Sequence, residues 1–158
     1  MFDLNQFNKL KENNQLEVKQ SVQVIPNSIW ETYSAFCNSY GGTIFLGVGE
    51  DKNKNLFTCG LNENQANNLL KSFWDTINNQ TKVSINLLSD KDVQIHKLNN
   101  DYIVVINVPQ ADKSIKPVYI NNNPLFAYRR NHEGDYRCTK IEIQAMLRDQ
   151  DEQSNDSY

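Results

Sequence analysis

Four carboxylates raise the first chemical question in this sequence. Glu12 and Glu17 stand before and within Leu16-Glu17-Val18-Lys19, where apolar and polar residues alternate as in a half-exposed strand. Glu50 and Asp51 stand at the end of a second expected strand, Thr43 to Val48. Pairing these strands would gather the acids, which repel one another unless protons or a cation neutralise them. A hard cation such as magnesium favours that oxygen-rich setting, taking one or two carboxylates beside water and phosphate. Glu12, Glu17, Glu50 and Asp51 are therefore the candidate metal ligands, and metal-assisted phosphodiester cleavage is the chemistry they would serve. A plainer reading stands beside it: an acid often opens the turn after a strand, and Glu12 reads equally as a surface residue.

A second constellation is basic and aromatic. Tyr119, Phe126, Tyr128, Arg129, Arg130, His132, Tyr136 and Arg137 interleave rings with cations. Rings stack on bases while arginines hold phosphates, the pattern of single-stranded or structured nucleic-acid binding. Lys116, Tyr128, Arg129, Arg130 and Arg137 are the candidate nucleic-acid contacts. Adjacent strand residues face opposite sides, so Arg129 and Arg130 cannot both address one surface without a bulge, and one of them is expected to pair with a core-edge carboxylate.

Other familiar chemistries lack their residues. Gly47-Val48-Gly49 has neither the GK[ST] ending of a P-loop nor the third glycine of a dinucleotide fingerprint, so it reads as structural turning. His96 and His132 have no His or Cys at ligand spacing, and no GxSxG elbow occurs. Cys37, Cys59 and Cys138 are odd in number and widely spaced, which suits three reduced thiols.

The elements that must position these residues follow from periodicity. Leu4, Phe7 and Leu10 suit a short amphipathic helix, and the strand through Leu16 and Val18 extends by the same alternation toward Val22 and Val24. From Pro26 a helix is expected, capped by Ser28 with Glu31 and carrying Ile29, Tyr33, Phe36 and Tyr40 on its sheet-facing side. Gly41 fits the position just past its end, and Gly42 turns the chain into the strand Thr43 to Val48. After a turn at Asp51 to Asn55 and a short strand through Leu56 and Phe57, Asn62 with Gln65 caps a helix bearing Ala66, Leu69, Leu70, Phe73, Trp74 and Ile77. Strands are expected over Val83 to Leu88, Val93 to Leu98 and Tyr102 to Val108, the last two joined at Asn99-Asn100-Asp101. Pro117 to Ile120 and Leu125 to Arg129 read as a hairpin around Asn121-Asn122-Asn123. Thr139 and Glu142 cap a last helix with Ile143, Met146 and Leu147 turned inward.

Helices interspersed among mixed strands give an α+β class with a mixed β-sheet and helices packed on it. Residues 1–148 are expected to form a single domain, and the acidic, polar stretch 149–158 a disordered tail. No run of about 18 apolar residues and no signal-peptide order occur, so a cytoplasmic protein with no membrane partner is expected. The net charge of −3 speaks against a protein that coats nucleic acid, yet residues 113–140 hold six basic side chains against two acidic ones. One localised phosphate-facing surface on an acidic body fits that distribution, as does a solvated loop region.

Several of these segments together resemble the AlbA_2 domain of the Schlafen family. They are Leu16-Glu17-Val18-Lys19, the run Ala35-Phe36-Cys37-Asn38-Ser39-Tyr40-Gly41-Gly42, Gly47 and Val48 with Glu50 and Asp51, Pro117-Val118-Tyr119, and Tyr128-Arg129-Arg130. The resemblance runs from about Glu12 to Arg148 and implies a Schlafen AlbA_2-like fold. It implies a DNA-binding domain of a bacterial transcriptional regulator. In the nuclease members three acids support metal-dependent cleavage of structured RNA such as tRNA. By position these fall on Glu12, Glu17 and either Glu50 or Asp51, with magnesium or manganese as cofactor. Gly49 occupies a place where an Asp is frequent, which shifts the third role to Glu50. Those nucleases clamp RNA between two such lobes, so a homodimer would supply the second here. An oligomerisation or ligand-sensing module that touches no nucleic acid is the further alternative, favoured by the acidic net charge.

Overall fold

The computed structural model describes residues 4–155, without the side chains of Leu4 and residues 152–155. Its elements run α1 (Leu4–Asn8), β1 (Leu16–Lys19), α2 (Ser28–Asn38), β2 (Gly42–Leu46), β3 (Val48–Glu50), β4 (Leu56–Thr58), α3 (Glu63–Ile77), β5 (Val93–Leu98), β6 (Asp101–Val108), β7 (Tyr128–Asn131), β8 (Gly134–Arg137) and α4 (Lys140–Asn155). β1, β2, β6 and β5, in that order, form a mixed sheet; β1 is parallel to β2, and the remaining neighbours are antiparallel. β3–β4 and β7–β8 are separate two-stranded hairpins. The fold is α+β with a mixed sheet.

Strand alternation divides the core between the two faces of the sheet. Ile44, Leu46, Val104 and Ile106 pack with Ile29, Tyr33 and Phe36 of α2 and Leu69, Phe73 and Ile77 of α3. Trp30 stacks on Phe73 with ring centroids 5.3 Å apart. Phe45, Ile103 and Val105 face the other way, where Phe7 of α1 covers them. The α3 stripe and its capping box at Asn62 and Gln65 are present as their spacing predicts.

Several expected elements take a different form, each for a local reason. β1 ends at Lys19, and Val22 and Val24 are exposed beyond it. Ser28 does not cap α2: helix-type turns begin earlier, with Ile29 N donating to Pro26 O, and Ser28 Oγ accepts from Lys19 Nζ. Tyr40 leaves the apolar stripe because α2 stops at Asn38. Thr43 to Val48 is broken at Gly47, whose φ of +82° sends β3 into a different sheet. Val83 to Leu88 is not a strand; Val83 bridges Ile120, while the Tyr33 hydroxyl donates to Ile85 O and accepts from Leu87 N. The expected 117–129 hairpin contracts to a Tyr119–Ala127 bridge and a 3₁₀ turn at Pro124–Phe126, leaving β7 to pair with β8. Leu147 is exposed, since α4 turns Ile143 and Met146 toward a small cluster with Ala127 and Cys138. Residues 149–155, expected as disordered tail, continue α4, and Gln150 Nε2 donates to Ser114 O at 2.9 Å. Residues 156–158 lie outside the described residues.

Candidate functional site

The glycine pair after α2 is shaped by close approach. Gly41 has φ +73°, and a Cβ on it would lie 2.8 Å from Val108 O; a Cβ on Gly42 would lie 2.7 Å from the Phe36 ring. Only residues without a side chain let the chain leave α2 this tightly and enter β2. β2 then pairs in parallel with β1, Glu17 opposite Ile44. Gly47 N donates to Lys19 O at 3.0 Å, which sets the start of β3 beside the end of β1.

Glu12, Glu17 and Glu50 come together around that junction. Glu12 accepts from Val18 N at 3.0 Å and hydrogen-bonds Glu17. Burial, that bond with Glu17 and the charges of Glu17 and Glu50 push the Glu12 carboxyl up to about 8. Burial opposes the Glu17 carboxylate, but the bond from Glu12 and the charges of Lys19 and Arg130 outweigh it and hold Glu17 below the ordinary range. Glu12 is thus the proton-bearing member of the pair and Glu17 the anion. Glu50 Oε2 is buried with no hydrogen-bond partner. Gln20 and Phe57 close over Gly49, so a side chain there would meet both. Asp51 turns elsewhere: its Oδ1 accepts from Asn53 N and Asn55 N, both at 2.8 Å, and caps the β3–β4 turn. Among the described residues no group of three or more His, Cys, Asp or Glu side chains is arranged to hold a metal ion.

The two adjacent arginines of β7 separate as strand alternation requires. Arg130 points inward, its side chain 1% exposed, and its guanidinium reaches Asp135 at 2.8 Å, Glu17 at 3.2 Å and the carbonyl of Asn13 at 2.8 Å. It also lies 4.9 Å from the centre of the Phe36 ring. This cation serves the carboxylates beneath it and offers no open face to a phosphate. Arg129 points outward, pairs with Glu142 at 3.1 Å and lies over the Tyr136 ring. Arg137 is exposed, donates to Leu125 O and covers Phe126 at 4.5 Å. Tyr128 is half-buried in β7. Lys116 is half-buried near Cys37, and burial lowers its pKa.

Asn38 joins the segments that the sequence spaces far apart. Its Oδ1 accepts from Val118 N at 2.8 Å, and its Nδ2 donates to Val118 O and Tyr128 O, each at 2.9 Å. Ser34 Oγ donates to Val118 O and accepts from Tyr128 N. One turn of α2 thereby fixes the Pro117-Val118-Tyr119 segment against β7. Neither side chain stood out as functional in the sequence; a polar residue on a helix face that is otherwise apolar was the available signal.

A family model described as Schlafen, AlbA_2 matches residues 12–139. Among solved structures, the fold is similar to the solution structure of the N-terminal domain of an ATP-dependent DNA helicase RecG-related protein from Nitrosomonas europaea. That match has 23% identity and a TM-score of 0.58, and covers 88% of this chain and 95% of that one. The DIP2311 protein from Corynebacterium diphtheriae also matches, at 14% identity and a TM-score of 0.48, over 86% of this chain and 24% of its own. No curated protein matches the chain.

Proposed function

The chain belongs to the Schlafen AlbA_2 family, and from that premise we propose that it is a nucleic-acid-binding domain, with DNA as its partner in a transcriptional regulator. The observation that carries the reading is the β7–β8 hairpin. It directs Arg129 and Tyr136 to one outer face, so a cation and a ring share that surface, while Arg137 is exposed beside Phe126 on the other face of the hairpin and Arg130 neutralises the acids below. The similar N-terminal domain comes from a protein named for a DNA helicase, a partner class this reading shares. Titrating labelled DNA and RNA at several salt concentrations tests it. The parent should lose affinity with salt, and Arg129→Ala with Arg137→Ala should reduce the log–log salt slope by about 2, roughly one per phosphate contact. A salt-insensitive parent, or a double variant indistinguishable from it, would remove the proposal.

A second reading, metal-dependent cleavage of structured RNA, is favoured by the Glu12–Glu17 contact and the orphaned Glu50 oxygen. These hard oxygen donors fit magnesium or manganese in kind, although among the described residues no group of three is assembled. Glu50, and Glu12 once the ion displaces its proton, would hold the ion, since Lys19 and Arg130 already balance Glu17. When bound it would polarise a phosphoryl oxygen. Incubated with tRNA and manganese, the parent should yield fragments that vanish in Glu50→Gln while RNA affinity persists. Intact tRNA with the parent dismisses cleavage by this chain.

A further inference from the structure

Two exposed tyrosines from distant parts of the chain line one open cavity of about 910 Å³. Tyr40 follows α2 and is 71% exposed; Tyr136 lies on β8 and is 52% exposed. Asn14 and Asn131 line the same cavity, and both are exposed. Each amide carries both a donor and an acceptor, the complement needed to read the edge of a heterocycle. The Tyr136 ring is seated by its surroundings. A Cβ on Gly134 would come within 2.9 Å of it, so glycine alone leaves room for the ring in this position. Arg129 lies 5.7 Å from the ring centre, directly across the hairpin.

We propose that Tyr136 and Tyr40 form a stacking subsite for an unpaired nucleobase, with the Asn14 and Asn131 amides at the base edge and Arg129 beside its phosphate. The inference rests on the nucleic-acid reading above and narrows it to single-stranded or flipped-out bases, because a base inside a duplex has no free face to stack. Ring and amide pockets also suit sugars, and the charged groups that line the cavity, Glu12 and Glu133 beside Arg130, do not choose between the two. The nucleotide follows from the nucleic-acid reading, with Arg129, which Glu142 also holds, as the cation next to Tyr136. Stacking on one aromatic side chain is sequence-tolerant, so the subsite would select strandedness before it selects sequence.

The test uses the full chain with one oligonucleotide in single-stranded and duplex forms, labelled for anisotropy, and a second single strand carrying 2-aminopurine. Tyr136→Ala and Tyr40→Ala should each weaken single-strand affinity about 5- to 100-fold, the usual range for losing one stacked base. Duplex affinity should stay within about twofold, and Tyr136→Phe and Tyr40→Phe should keep single-strand affinity, since a phenyl ring stacks as well. Binding should quench the 2-aminopurine of the single strand, and the alanine variants should lose that quenching. Circular dichroism of each variant separates misfolding from loss of the subsite; if an alanine variant misfolds, the matching Tyr136→Leu or Tyr40→Leu variant, which keeps bulk but has no ring to stack, should lose the quenching, and unchanged quenching there would overturn the subsite. Single-strand affinity and quenching unchanged by alanine would overturn the subsite and leave nucleic-acid binding standing. A parent that binds neither form would overturn both.

Discussion

At the scale of single residues, Glu12 holds an uncommon position: a carboxyl kept protonated by a neighbour that stays charged. Its pKa rises from an ordinary 4.5 to about 8 through burial and the nearby Glu17 and Glu50. Between those two pH values the folded protein binds a proton that the unfolded chain releases, so stability falls as pH rises through the window. Glu12→Gln keeps an acceptor for Val18 N and a donor for Glu17 while removing the titration. The variant should therefore melt like the parent near pH 4.5 and above it at pH 8.5. After discounting for partial exposure, the gain at pH 8.5 should be roughly 2–4 °C, the equivalent of about 1 kcal/mol in a domain this size. Melting curves from pH 4.5 to 9 read this directly. A parent whose melting temperature is level through that range would show that Glu12 titrates normally.

At the scale of elements, what could be read in the sequence was what neighbours in the chain decide. The stripe Ala66, Leu69, Phe73, Ile77 and the Asn62–Gln65 box lie within one helix, and α3 forms as its spacing predicts. Gly41 and Gly42 mark the tight exit from α2 for reasons contained in a few residues and the strand they enter. The stretch Val83 to Leu88 has strand composition, yet its backbone partners include the Tyr33 hydroxyl and Asn86 side chain, along with the Asn79 and Tyr119 carbonyls. No local pattern encodes a tyrosine 52 residues away as a substitute for a neighbouring strand. The site divides in the same way. Alternation along β7 separates Arg129 from Arg130, but the assignment of Arg130 to the inside depends on Asp135 and Glu17, the latter 113 residues distant. Asp51 shares the chemistry of the other acids and differs from them only because its turn claims the carboxylate.

At the scale of the whole molecule, Arg130 connects three parts of the chain that no sheet joins. Its guanidinium binds the Asn13 and Leu16 carbonyls and Glu17 in the N-terminal segment, Asp135 in the terminal hairpin, and the face of Phe36 in α2. The acids it balances are largely buried, with side chains 14% and 12% exposed. Removing the cation leaves both charges without compensation in a poorly hydrated site, which costs far more than an exposed pair would. Arg130→Ala should therefore lower the unfolding free energy in urea at pH 7 by about 3–5 kcal/mol. Arg129→Ala, which loses a solvent-screened partner, should change it by about 1 kcal/mol or less. The Arg130→Ala deficit should shrink as the medium is acidified, because Glu17, held below the ordinary range in the folded parent, then takes up a proton and no longer needs the guanidinium. The contrast also separates architecture from binding. Arg129 and Arg137 should alter nucleic-acid affinity with little change in urea midpoint, whereas Arg130→Ala should move the midpoint first. An Arg130→Ala protein as stable as the parent would mean that the buried carboxylates are neutralised by something other than this arginine.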